Sequence, residues 1–195
     1  MIIGLTGKYC AGKNYIAGLF EKQGCSVIDV DKLGYDVLET EKEAVFSRFG
    51  RTLQKPNGTL DRRALGKIVF SNPAELAALE AIVHPPVDNM IDNWLKNTQP
   101  KNGIFVINAA VLHRAGVFNQ LKCIILVSAP TITRFCRAKR RDKLPWKILL
   151  NRFKAQKNFH SQYFAGNAEI HRVDNSGFFR IENRISKILE KLPGE

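Results

Sequence analysis

Along the chain, short apolar runs alternate with longer stretches in which apolar residues return every three or four positions. Residues 2–5 (IIGL) form one such run and lead into Thr6 and Gly7, the pattern of a buried strand entering a tight turn. A helix is predicted over 13–23, with Ile16, Leu19 and Phe20 on one face and Gly24 as its stop. SVID at 26–29 predicts a second strand. From 31 to 96 the period is helical. Helices are predicted over 32–39, 42–49 and 63–70, and Asn57 and Gly58 mark a turn. A further helical stretch starts at Pro73, and Pro85 and Pro86 should break or kink it. Buried-strand patterns return at 104–107 and 123–127, followed by a helix over 131–141 and a basic helical segment over 145–159. A short strand over 171–173 precedes a closing helix over 178–192, with Ile181, Ile185, Ile188 and Leu189 on one side.

Strands separated by helices pair in parallel, which predicts an α/β fold: an open parallel sheet with helices on both faces. Ligands of such sheets bind beyond the carboxyl ends of the strands. Residues 7–13, 29–31, Asn108 and Ser128 should therefore converge.

The 195 residues, 45% hydrophobic and 25% charged, suit one globular domain. The longest apolar runs, such as 123–127, are a few residues long, whereas a membrane span needs about 20. The N-terminus shows neither the basic nor the apolar part of a signal peptide, which places the protein in the cytoplasm. Cys10, Cys25, Cys123 and Cys136 form no CxxC pair and have no histidine at zinc spacing, so they read as reduced thiols. Cys25, Cys123 and Cys136 lie beside apolar residues and read as small core residues, while Cys10 sits where its thiol could react. Net charge is +12, from 30 Lys and Arg against 18 Asp and Glu. Nucleic acid, an anionic membrane surface and polyphosphate metabolites all suit such a surface. The basic run 134–147, taken alone, reads as a solvated helix face unless a phosphate site lies nearby.

Gly7, Lys8, Tyr9, Cys10, Ala11, Gly12 and Lys13 fit GxxxxGK, after a predicted strand and at the start of a predicted helix. The glycines let backbone N–H groups turn toward phosphate oxygens, the helix N-terminus adds partial positive charge, and Lys13 would bridge the β- and γ-phosphates of ATP. The three fixed residues recur by chance in about one chain of this length in fifteen, so the flanking strand and helix carry the reading. Asn14 stands where Ser or Thr usually holds Mg2+, and its amide oxygen is an alternative ligand for that ion, directly or through water. Asp29 and Asp31 follow the second strand. A carboxylate there can accept the proton of an acceptor hydroxyl, and Asp31 can equally serve as the N-cap of the helix over 32–39.

The runs LTGKYCAGKN, VIDVD, NGTLDRRALGKIVFSNPAELAALEAIVHPPV, RAKRRD, RFKAQ and VDNSG together resemble dephospho-coenzyme A kinase over nearly the whole chain. The stretch 58–85 is the most specific part. The resemblance implies a single P-loop kinase domain, with a core over about 1–31, 102–137 and 168–195, a helical substrate-binding insertion over about 32–101, and a basic lid over about 138–167. It implies phosphorylation of the ribose 3′-hydroxyl of dephospho-CoA by ATP with Mg2+, the last step of coenzyme A synthesis. Lys13, Asp31 and Arg141 are then catalytic. The loop residues with Asn14, Tyr15, Arg137, Arg152 and Asn175 bind ATP, and Gln156 completes an RxxxQ series with Arg152. Asp31, Arg62, Arg63, His84 and Pro85 bind the acceptor. The expected partners are ATP and dephospho-CoA, without membrane and without nucleic acid despite the net charge.

The family's Asp, Pro-Leu-Leu, Glu segment reads here as Asn108 to Arg114, so several polar signs have changed, with Asn108 neutral and Arg114 positive. His113 is assigned no role. Two other readings stay open: another small-metabolite or nucleoside-monophosphate kinase, or a catalytically impaired nucleotide- or RNA-binding protein, although no RRM, KH or zinc-knuckle pattern is present.

Overall fold

The computed structural model describes residues 1–156, 168–177 and 181–192. Two compact units divide the chain: residues 1–29 with 98–195, and residues 30–97.

The first unit is built on a five-stranded sheet of strands β1 (Ile2–Gly7), β2 (Ser26–Asp29), β3 (Phe105–Asn108), β4 (Cys123–Ser128) and β5 (Glu169–Asp174), in the order β2-β3-β1-β4-β5. All four pairings are parallel. The central strands β1 and β4 are buried along nearly their whole length, as a parallel sheet covered on both faces requires. Helix α1 (Lys13–Lys22) turns Ile16, Ala17, Leu19 and Phe20 onto Ile3, Leu5, Val106, Ile125 and Val127. Gly24, at φ +88°, ends the helix, and the N–H of Cys25 returns to the carbonyl of Phe20 at 3.1 Å. The last helix, Ile181–Lys191, adds Ile181, Ile185 and Ile188 to the same cluster. Phe20 has no exposed surface, so its truncation to alanine should cost about 3–5 kcal/mol. The opposite face meets the short turns Leu112–Arg114 and Gly116–Gln120. There Gly4 lies so close to Leu112 and Leu121 that a Cβ would meet their methyl carbons at 2.4 and 2.8 Å.

The second unit holds α2 (Val30–Thr40), α3 (Lys42–Phe49), α4 (Arg62–Val69) and α5 (Pro73–Asn97) around Val45, Phe46, Leu53, Leu60, Leu65 and Val69. Asp61 caps α4, accepting from the N–H groups of Arg63 and Ala64, each at 3.0 Å, and those bonds hold its carboxyl below the usual range. Of the break or kink that the sequence predicts at Pro85 and Pro86, the break does not occur: α5 runs on through both prolines. Proline's fixed φ already matches a helix, and the bonds it forfeits are offset by the burial of Val87 and Ile91 just beyond the pair.

Two more helices, α6 (Thr131–Asp142) and α7 (Trp146–Ala155), follow β4 in the first unit. Residues 157–159 of the predicted basic segment, 157–167 of the expected lid and 178–180 of the predicted closing helix lie outside the described residues. Cys136 is a correction: it is exposed on α6, because that helix buries Arg134 and Ala138, and Cys136 falls on the opposite side. The helix Ile181–Lys191 is α8.

Candidate active site

The loop from Gly7 to Gly12 joins the carboxyl end of β1 to α1, and its turn is closed by the N–H of Ala11 donating to the carbonyl of Lys8 at 2.9 Å. Gly12 occupies the helix N-cap at φ +94°, and a Cβ there would sit 2.0 Å from Asn175 Nδ2, so both backbone and space demand glycine. Cys10 takes φ +59° without being glycine. No side chain caps the start of α1 among the described residues, which leaves its first-turn amides for an anion. Lys13 is the first residue of that helix.

Residues far along the chain support this loop. Asn175, 6% exposed, donates Nδ2 to the carbonyl of Ala11 at 2.8 Å, and its own N–H donates to Ser128 at 2.7 Å. Arg137 donates to the carbonyls of Ala11 (3.2 Å) and Asn175 (2.8 Å). Arg134, 7% exposed, donates to the carbonyls of Ala129 (3.2 Å) and Tyr9 (3.4 Å). Arg141 and Arg152 flank the Tyr9 ring with guanidinium carbons 5.3 and 5.5 Å from its centroid, and Asp142 pairs with both at 2.7 and 3.2 Å. Gln156 Oε1 accepts from the N–H of Tyr9 at 2.6 Å. Arg134 and Asp142 were not singled out from the sequence. The available signal was the spacing of Arg134, Arg137 and Arg141, which puts three cations on one side of α6.

This concentration of charge acts on the loop itself. Burial pushes the Cys10 thiol up, against a pull downward from Arg141, Arg134, Arg137 and Arg152. Burial and then Arg134 lower the Lys8 ammonium. On the far side, Asn108 at the end of β3 donates Nδ2 to Asn14 Oδ1 at 3.3 Å, while its own Oδ1 is buried and has no hydrogen-bond partner among the described residues. Asn108 is 2% exposed. An unmet buried amide oxygen is costly. A hard cation or its water shell is the kind of ligand such an oxygen fits.

Tyr15 engages α8 through its hydroxyl, 3.1 Å from Glu182. Asp29 ends β2 in register with Asn108. Asp31, Arg62, Arg63, His84 and Pro85 belong to the second unit. Asp31 lies in the first turn of α2, which starts at Val30, so it is inside the helix and not its N-cap. Arg62, the first residue of α4, donates to the carbonyl of Tyr35 at 3.0 Å and stacks on its ring, and Arg63 follows it in the first turn. His84 and Pro85 lie within α5, against which α2 and α4 both pack.

A loop of this kind on a parallel sheet of this order binds phosphate and defines the class, a P-loop kinase fold. The family model of dephospho-CoA kinase matches residues 1–176. A dephospho-CoA kinase of Treponema pallidum is 32% identical over 186 residues, covering 90% of this chain and 87% of the relative. Among solved structures, TT1252 from Thermus thermophilus matches with TM-score 0.83 at 31% identity, over 100% of this chain and 98% of that one. Dephospho-CoA kinase from Campylobacter jejuni shares the fold with TM-score 0.67 at 22% identity, over 98% of this chain and 96% of that one. The chain belongs to the dephospho-CoA kinase family, a family of transferases.

Proposed function

We propose that the chain transfers the γ-phosphate of ATP to the ribose 3′-hydroxyl of dephospho-CoA, releasing ADP and coenzyme A. Membership of the family supports the substrate pair. The observation that carries the chemistry is the phosphate cradle, an uncapped α1 N-terminus whose loop is tied down by Asn175 and Arg137.

In this reading the loop amides and Lys13 hold the β- and γ-phosphates, with Lys8, Tyr9, Cys10, Ala11 and Gly12 shaping the loop and Tyr15 just behind it. Arg137, Arg141 and Arg152 offset charge as the phosphoryl group moves. Asp31 orients the acceptor hydroxyl and accepts its proton, while Arg62, Arg63, His84 and Pro85 hold the rest of the acceptor. Asn175 acts from beneath, through the Ala11 carbonyl. Asn14 and Asn108 are the residues that would hold Mg2+ or its water, and the orphaned Asn108 oxygen supports that assignment. When bound, Mg2+ would supply Lewis-acid neutralisation of the phosphate oxygens.

No helix among the described residues is long and apolar enough to cross a membrane. The cytoplasm, where ATP and dephospho-CoA are both at hand, is the compartment this reaction needs. Nucleic acid is not part of this reading, since Arg134, Arg137, Arg141 and Arg152 are engaged at the phosphate loop. An acceptor screen coupled to ADP release tests the proposal. Dephospho-CoA should exceed nucleoside monophosphates and shikimate by orders of magnitude, and a nucleoside monophosphate as the best acceptor would overturn it.

A further inference from the structure

Tyr9 is tied through every polar group it has, which phosphate binding by a GxxxxGK loop does not require. Its N–H donates to Gln156 Oε1 at 2.6 Å and its carbonyl accepts from Arg134 at 3.4 Å. Its hydroxyl donates to Asp142 Oδ2 and accepts from Arg152 Nη1 at 3.1 Å. The ring meets Phe153 edge-on at 5.6 Å, with Arg141 and Arg152 at 5.3 and 5.5 Å. Asp142, whose side chain is 15% exposed, receives both guanidinium groups.

We propose that Tyr9 is a positioning residue whose ring holds the Arg141 and Arg152 guanidinium groups at the phosphate loop before nucleotide binds. The proposal rests on the kinase reading above. Two like charges so close together repel, and two attractions oppose that. The negative face of the tyrosine ring draws each cation, and the shared Asp142 carboxylate neutralises part of their charge. Phe153, Gln156 and Arg134 fix the ring and backbone of Tyr9, so the platform itself is held. Each guanidinium has five N–H donors, and the Asp142 contacts engage the Nε and Nη2 of Arg141 and the Nη1 of Arg152. The downward pull of both arginines on the Cys10 thiol puts their charge at the centre of the loop. Two long side chains ordered in advance lose little freedom when a terminal phosphate arrives. The benefit should therefore fall on the γ-phosphate and not on nucleotide binding in general.

Calorimetric affinities for ADP and a non-hydrolysable ATP analogue separate this role from simple packing. Wild type should prefer the triphosphate, and Tyr9→Leu should shrink that preference about tenfold, the combined scale of two exposed cation–π contacts. Tyr9→Phe, which keeps the ring, should retain clearly more of the preference than Tyr9→Leu. In an Arg141→Ala, Arg152→Ala background, Tyr9→Leu should shrink the preference no further. Tyr9→Met serves as the second ringless variant should the leucine protein fail to fold. Equal losses for ADP and the analogue, an undiminished further loss in the double-alanine background, or a phenylalanine variant no better than leucine would each overturn the proposal. A wild type without any triphosphate preference would overturn the kinase reading with it, whereas a wild-type preference that Tyr9→Leu leaves intact overturns the positioning role alone.

Discussion

Asn108 donates its side-chain amide to the side-chain oxygen of Asn14 at 3.3 Å, joining the end of β3 to the first turn of α1. The two positions are separate departures in sequence, one from the Walker A hydroxyl and one from an acidic strand end, and in the fold they form one pair. The pairing leaves Asn108 Oδ1 buried and unmatched. A site built from two amides carries no charge of its own. It should hold Mg2+ less firmly than one with a carboxylate and depend on the nucleotide phosphates to bring the ion.

Removing the Asn14 oxygen should isolate that function. Asn14→Leu should lower magnesium-dependent turnover on the order of 100-fold while metal-free ATP affinity changes little. Asn14→Ser should retain or raise turnover, and Asn108→Asp should lower the magnesium concentration that gives half-maximal rate. Steady-state rates across a magnesium series, with metal-free binding by calorimetry, decide the matter. A leucine variant as active as wild type would remove the metal role.

Lys13→Ala should fold normally, because its side chain lies at the start of α1 and outside the buried core. Its turnover should fall by about 10²- to 10³-fold or more, since the lysine charge acts on the phosphates as charge redistributes. Turnover close to wild type, with an unchanged thermal midpoint, would contradict the loop assignment.

Thiol chemistry offers a second probe of the loop. Cys10 is partly accessible and its thiol is raised by burial, so alkylation should be slow at neutral pH and quicken as pH rises past the ordinary thiol range of about 8.5. ATP should protect it, and the adduct should block ATP binding. Cys136 is exposed and should label with or without ATP, so Cys136→Ser is the background for the measurement. Cys25 and Cys123 are buried, with Cys123 pushed up to about 12, and should react only on unfolding. Mass-resolved labelling with and without ATP reads the remaining three; equal Cys10 labelling in both would count against phosphate binding in the loop.

The sheet and the phosphate loop were legible in sequence because both rest on local signals. An apolar run fully buried in a parallel sheet looks the same wherever it occurs, and the GxxxxGK spacing encodes a backbone shape within seven residues. What escaped depends on distant partners. Tyr9 and Asp142 stand 133 residues apart, and neither has a meaning without the other. Arg134 hides on the inner side of α6, where an apolar residue would be expected, because the carbonyls of Ala129 and Tyr9 satisfy it. The same cationic face misled the reading of Cys136, whose apolar neighbours in sequence point elsewhere in the helix. Helix α5 passes Pro85 and Pro86 because its packing outweighs two lost bonds, a balance that local propensity does not contain. Asp31 sits one residue inside α2 because the helix starts directly where β2 ends.

The central claim, transfer of the γ-phosphate to the 3′-hydroxyl, is tested most directly by identifying the product. Purified protein, ATP, magnesium and dephospho-CoA should give ADP and coenzyme A in equal amounts, with the new phosphate on the ribose 3′-oxygen by phosphorus NMR and mass spectrometry. ATP bound but no coenzyme A formed under those conditions, or phosphate placed on another oxygen, would contradict it.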